Sequence, residues 1–271
     1  MKAVPFVKMV ASGNDFVVVD HRRKEFKDPS VFARKICARH TGAGADGVLL
    51  VEESRKGGFK VRIFNADGSE AEACGNGFRC VARYAKEKMR YPAEFKFESP
   101  AGIIRARVKG NVVCVELVEP SDYCSGKQMI VMGHRLHYAF INTGVPHTVI
   151  FVEGLSKIDV EGLGRAIRYH EVFAPKGTNV NFVEIRGKRD VEIRTYERGV
   201  EGETLACGTG STAAALTAVL AGYAEAPVRV KTKSGETLTV DFKIKGSRPV
   251  QVTLEGKAHF VYEGKISDEM E

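Results

Sequence analysis

Cys74-Gly75-Asn76-Gly77 returns as Cys207-Gly208-Thr209-Gly210, 133 residues further on (207 − 74). Ahead of the first copy lies Ile63-Phe64-Asn65-Ala66-Asp67-Gly68-Ser69-Glu70. Ahead of the second lies Thr195-Tyr196-Glu197-Arg198-Gly199-Val200-Glu201-Gly202-Glu203. Both read as a short strand entering a turn rich in glycine and acidic residues. Gly13 to Val19 pairs with Gly144 to Ile150, Gly44 to Glu52 with Gly177 to Ile185, and Ala101-Gly102 with Ser234-Gly235, at nearly the same spacing. Five matches in one order are the mark of an internal repeat. The chain therefore divides into two homologous halves, residues 1–135 and 136–271.

Each half is mostly short strand-like segments separated by turn residues. Gly58 to Asn65, Glu94 to Ser99, Ile103 to Lys109 and Val112 to Val118 are examples. Each half also has one helix directly after its CGxG. In the first, Phe78, Val81, Ala82, Ala85 and Met89 fall on one helical face, and Pro92 marks the end. In the second, Ser211 to Leu220 reads STAAALTAVL with Gly222 as its stop. A helix with no polar face is buried. Asp28-Pro29 starts a further helix, with a counterpart near Val160 to His170. The predicted fold is α+β: two pseudo-symmetric halves, each a curled, largely antiparallel sheet around a central helix, with the site where the halves meet.

A cysteine before two glycines at a helix start sits where first-turn N–H groups lack intrahelical partners and the helix dipole is positive. That setting lowers a thiol pKa from about 8.5 toward neutrality. The glycines also let a carboxylate approach the backbone closely. One such loop fits a nucleophile, an oxyanion hole or a plain tight turn. Two in a pseudo-symmetric chain put a thiolate and a thiol on opposite sides of one α-carbon, so one removes a proton and the other returns it to the opposite face.

The bulk composition is permissive. The chain has 271 residues and a formal charge of +7, with 44% hydrophobic and 28% charged residues. That basic excess is spread along the chain and comes with no nucleic-acid-binding motif, so no nucleic-acid partner is expected. No apolar run is long enough to span a bilayer, and Met1 to Asp20 lacks a signal-peptide pattern. A cytoplasmic protein with reduced thiols and no membrane contact is expected. The six cysteines contain no CxxC pair, and Cys74 and Cys80 are poorly spaced for zinc, so no metal is expected. Cys80 reads as core; Cys37, Cys114 and Cys124 read as unremarkable residues of a helix, a strand and a turn.

The two long motifs resemble the signatures of diaminopimelate epimerases. Asn65 to Glu70 leading into Cys74 to Cys80 is similar to the first, and Tyr196 to Gly210 to the second. Gly13-Asn14-Asp15-Phe16 and Gly144-Val145-Pro146-His147 also fit, and the likeness runs the length of the chain. The resemblance implies interconversion of LL- and meso-2,6-diaminopimelate without pyridoxal phosphate, another cofactor or a metal, in lysine and peptidoglycan precursor supply. It implies that Cys74 and Cys207 are the acid–base pair, supported by Glu197 and His147. Gly75, Asn76, Gly208 and Thr209 would offer backbone N–H groups to the reacting carboxylate. Asn14, Asn65, Asn179, Glu197 and Arg198 would hold the rest of the substrate, Arg198 by a bidentate grip on the far carboxylate. The resemblance further implies a homodimer.

The chain departs from the family pattern in three places. Val145 stands where many members have Asn, Gly47 where some have Gln, and the turn before Cys207 is longer. Taken alone, Asn14, Asn65 and Asn179 read equally well as turn residues, His147 as a core histidine, and Glu197-Arg198 as a solvated pair. A proline or hydroxyproline racemase of the same fold, or a non-catalytic amino-acid-binding protein, are the alternative readings.

Overall fold

Phe16-Val17-Val18-Val19 and Val48-Leu49-Leu50-Val51 are unbroken apolar runs, and every one of these residues is buried. Strands of this kind are covered on both faces. The computed structural model, which describes residues 4–54, 58–246 and 248–267, shows what covers them. Packing divides the chain into two compact units, Met1–Glu116 with Gly256–Glu271, and Leu117–Glu255.

The first unit runs β1 (Val4–Ala11), β2 (Asn14–Asp20), α1 (Pro29–Cys37), β3 (Gly47–Glu53), β4 (Phe59–Asn65), β5 (Glu70–Ala71), α2 (Gly75–Lys88), β6 (Glu94–Ser99), β7 (Gly102–Lys109) and β8 (Val112–Glu116). β2 and β3 pair in parallel, as do β4 and β6. The pairs β1–β2, β3–β4, β4–β5, β6–β7 and β7–β8 are antiparallel. Along β7, Ile104, Ala106 and Val108 are buried and alternate with outward residues, the period of a half-buried strand. α2 packs against β1, β2, β3, β7 and β8 and buries Phe78, Cys80, Val81, Ala82 and Ala85. α1 packs against β3 and β4 with Phe32, Ala33, Ile36 and Cys37 buried. Helices on both faces leave the central strands no solvent side, hence their sequence.

The second unit repeats this order: β9 (Ser121–Val131), β10 (His134–Asn142), β11 (Pro146–Phe151), α3 (Val160–Arg168), β12 (Asn179–Gly187), β13 (Asp190–Glu197), β14 (Gly202–Thr204), α4 (Gly208–Leu220), β15 (Val228–Lys231), β16 (Thr237–Lys245) and β17 (Arg248–Lys257). β11–β12 and β13–β15 are the parallel pairs, matching β2–β3 and β4–β6. α4 packs against β10, β11, β12, β13, β15 and β16, and Ala213, Ala214, Ala215, Leu216 and Ala218 are fully buried. The α+β class and the curled sheet around a central helix are therefore as expected.

The repeat boundary at 135/136 and the packing boundary at 116/117 do not coincide. β9 follows β8 in sequence yet pairs with β10 of the second unit. Its equivalent, β18 (His259–Ile266), returns to pair with β1 of the first. Each closing strand thus joins the opening strand of the other half.

Three local details differ from expectation. α2 stops at Lys88, before Pro92, because Met89 caps it and Arg90 turns left-handed at φ 61°. α3 ends at Arg168 rather than His170, with Tyr169 as its cap. Cys124 lies within β9, not in a turn: it pairs with Phe140 where the register shifts on either side, so the turn-like Asp122 and Gly126 are absorbed by an irregular strand.

Candidate active site

Cysteine is a poor helix cap beside Ser, Thr, Asp or Asn, yet both central helices start on one. Cys74 caps α2, its Sγ accepting from Gly77 N–H at 3.4 Å. Cys207 caps α4, its Sγ accepting from Gly210 N–H at 3.3 Å. Among the remaining first-turn N–H groups, those of Gly75, Gly208 and Thr209 have no intrahelical partner, as at any helix start, and are available to an anion.

In the first unit the thiol meets a line of polar groups whose orientation is determined at both ends. Arg79, fully buried, donates through Nη2 to Ser12 Oγ (2.7 Å) and to Asn76 Oδ1 (2.9 Å). A guanidinium only donates, so Asn76 must turn its Nδ2 to Asn14 Oδ1 (3.4 Å). At the other end Asn14 Nδ2 donates to the Asp46 carboxylate (3.0 Å). Asn14 Oδ1 therefore faces Cys74 Sγ, at 3.8 Å. Asn65 pairs across the ladder with Gly47, close to Phe16 and the start of β2. Its side chain is exposed and donates to Ser69 Oγ at 2.9 Å. Gly47 has no room for a side chain, because a Cβ there would lie 2.6 Å from the Phe64 carbonyl oxygen.

In the second unit Thr209 Oγ1 lies 3.4 Å from Cys207 Sγ, and the Thr209 carbonyl accepts from Thr143 Oγ1 (3.1 Å). Gly210 abuts Asn181, whose Oδ1 a Cβ at position 210 would meet at 2.5 Å. Asn181 in turn faces His147. Its Oδ1 accepts from Thr195 Oγ1 (3.0 Å), and its Nδ2 donates to the Thr148 carbonyl (3.0 Å) and to His147 Nδ1 (3.1 Å). The neutral imidazole thus carries its proton on Nε2, which is buried and has no hydrogen-bond partner among the described residues.

His147 is fully buried, and that burial, reinforced by the nearby Arg198 cation and only partly opposed by the Asn181 bond, pushes its pKa down to about 3. At neutral pH it is an uncharged donor and not a general acid. The folded state binds its proton less well than the unfolded chain, where the value is near 6.5. His147 therefore contributes stability that is intact above about pH 6.5 and falls as pH drops from there toward 3. A His147→Gln variant should show a flatter dependence of Tm on pH between 7 and 5 than the parent chain, and parallel curves would refute the assignment.

Asn179 and His147 are neighbours in the β11–β12 ladder. Asn179 Nδ2 donates to the Pro146 carbonyl (2.9 Å), and its Oδ1 accepts the Arg198 N–H (2.9 Å). Glu197 closes β13, and Arg198 Nη1 donates to the Lys176 carbonyl (3.2 Å). The half-buried Val145 carries no side-chain donor or acceptor. Two groups thus assemble, each within one unit: Cys74 with Gly75, Asn76 and Asn14, and Cys207 with Thr209, linked through Gly210 and Asn181 to His147, Asn179 and Arg198.

Sequence reading missed Arg79, Asp46 and Asn181. Asn181 had a signal, since residues two apart on a strand share a face and Asn179 was already suspected. Arg79 had none, because an arginine near the start of a helix ordinarily reaches solvent.

The family model for diaminopimelate epimerase matches residues 6–119 and 139–261. A protein of Aquifex aeolicus named diaminopimelate epimerase is 47% identical over 98% of each chain. One of Methanocella arvoryzae with the same name is 40% identical, again over 98% of each. Among solved structures, a PhzF-family phenazine biosynthesis protein of Bacillus anthracis aligns with a TM-score of 0.74 at 17% identity, over 98% of this chain and 100% of that one. A probable proline racemase of Agrobacterium radiobacter aligns at 0.74 and 15%, over 98% and 93%. At such identities these two show the fold alone. The sequence matches define an isomerase. The chain belongs to the diaminopimelate epimerase family.

Proposed function

We propose that this protein interconverts LL- and meso-2,6-diaminopimelate by proton transfer between Cys74 and Cys207, with no cofactor or metal. The observation that carries the reading is the pair of helices capped by cysteine, each Sγ within 3.4 Å of an N–H in its own helix. An N–H aimed at sulfur stabilises thiolate, as does the positive end of the dipole. One thiolate takes the α-proton, leaving a carbanion whose charge spreads into the carboxylate. The N–H groups of Gly75, Asn76, Gly208 and Thr209 stabilise that charge as it develops. The opposite thiol then delivers its proton to the other face and becomes the thiolate, so the reverse reaction uses the same groups with roles exchanged. Glu197 and the neutral His147 support the reacting ammonium and thiols.

Arg198, with Asn14, Asn65 and Asn179, holds the distal end. A cation committed to a second carboxylate favours diaminopimelate over proline. The test is α-proton exchange in deuterated water, comparing LL-diaminopimelate with L-proline. Exchange and inversion with the first alone supports the reading, and turnover of proline alone overturns it. Arg198→Ala should raise KM for diaminopimelate by roughly ten- to a hundredfold, the worth of a charge-assisted hydrogen-bond pair. The protein is further proposed to act as a homodimer in the cytoplasm, where thiols stay reduced; light scattering on the purified chain checks the first.

A further inference from the structure

Arg198 sits in a four-residue loop, Arg198-Gly199-Val200-Glu201, between the paired residues Glu197 and Gly202 of β13 and β14. A loop of this length has many conformations open to it, and this one is held by its last residue. Glu201 donates its N–H to the Glu197 carbonyl (2.8 Å) while adopting φ 57°, a left-handed conformation that a residue with a side chain seldom takes. Its Oε1 folds back to accept from Gly199 N–H (3.0 Å). The same oxygen accepts from Arg168 Nε (3.2 Å) and Nη2 (3.0 Å).

Arg168 comes from the last turn of α3, with its side chain 13% exposed and its guanidinium 4.6 Å from the centre of the Tyr169 ring. The space it fills exists because residue 177 is glycine: a Cβ there would lie 1.7 Å from Arg168 Nη1. Immediately before Gly177 is Lys176, whose carbonyl accepts from Arg198 Nη1. Arg168 thus packs against both segments on which Arg198 depends, its own loop through Glu201 and the Lys176–Gly177 turn.

We propose that Arg168 and Glu201 are positioning residues that hold the Arg198 guanidinium in place for the far carboxylate of the substrate. This rests on the reading of Arg198 as that carboxylate's ligand. Neither residue need touch substrate. Their removal acts through Arg198, so it weakens substrate binding and leaves proton transfer at the cysteines little affected.

Steady-state kinetics with diaminopimelate on Glu201→Gln, Arg168→Met and Arg168→Lys, alone and combined with Arg198→Ala, tests the proposal. Glu201→Gln and Arg168→Met should each raise KM about tenfold with kcat within about twofold, and Arg168→Lys should recover part of the loss. In the Arg198→Ala background the same changes should add almost nothing, because the group they position is gone. Glu201→Gly separates positioning from stability. Glycine suits the left-handed conformation, so this variant should melt above Glu201→Ala, which loses the same carboxylate, yet raise KM as much. If Arg198→Ala raises KM while the Arg168 and Glu201 variants do not, or if their effects add in full to it, the positioning role is overturned. If Arg198→Ala itself leaves KM unchanged, the carboxylate reading falls and the proposal with it.

Discussion

Cys74→Ser and Cys207→Ser are each expected to abolish epimerisation while melting at or above the temperature of the parent chain. The two outcomes separate because a residue at a helix start does two jobs of different kinds. As a cap, cysteine offers Gly77 or Gly210 a long sulfur contact of 3.4 or 3.3 Å. Serine offers a better oxygen acceptor at the same place, and replacing a weak cap by a preferred one adds up to about 1 kcal/mol. As an acid or base, a serine hydroxyl is far too weakly acidic to exchange a proton with a carbanion near neutral pH. Losing one partner of a two-base reaction costs about 10²- to 10⁴-fold in rate. Alanine variants should be as inactive, and slightly less stable. The measurements are inversion of diaminopimelate followed by chiral chromatography, and thermal melts. Either single variant keeping more than a tenth of the parent activity would remove the two-cysteine mechanism.

Gly210→Ala is expected to damage the protein far more than Gly77→Ala, although the two glycines hold the same place in the repeated motif. A Cβ on Gly210 would stand 2.5 Å from Asn181 Oδ1 and 3.3 Å from Cys207 Sγ. Asn181 cannot withdraw, since Thr195, Thr148 and His147 hold its amide on both sides. The first turn of α4 must shift instead, carrying Cys207 with it. Overpacking of this sort costs about 1–3 kcal/mol, and displacing the thiol should lower kcat by a factor on the order of 10². A Cβ on Gly77 is crowded by the end of the Leu49 side chain, at 3.0 Å, and meets Cys74 Cβ and Sγ at ordinary contact distances of 3.5 and 3.7 Å. That methyl can rotate aside, so the cost should stay below about 1 kcal/mol. Denaturant unfolding and kcat for the two variants decide it; equal losses would show that the Asn181 contact is unimportant.

Much of the fold could be read from residues because its periodicities are short. The alternation in β7, the apolar ring of α4, the Asp28-Pro29 start of α1 and the duplicated CGxG each depend on a few neighbouring positions. What could not be read depends on partners distant in the chain. Nothing near Ser121 says that β9 joins β10 while β18, its counterpart, returns to β1. Cys124 reads as a turn residue in the sequence, and only the ladder with β10 places it in a strand.

The candidate site divides along the same line. Cys74 and Cys207 stand out from sequence alone, because a helix start imposes the same electrostatics on any residue placed there, and the repeat supplies two of them. The amides and charges around them do not, because side-chain orientation is decided by what each group meets. Arg79 forces Asn76, which forces Asn14, 62 residues away in the chain. Asn181 sets the tautomer of His147 across a parallel ladder, and Arg168 of α3 braces Glu201 in the loop after β13. Sequence by itself determined the two cysteines at helix starts and the doubled architecture. Only the tertiary structure decided how their neighbours are oriented, since a hydrogen bond needs both partners in place before either has a direction.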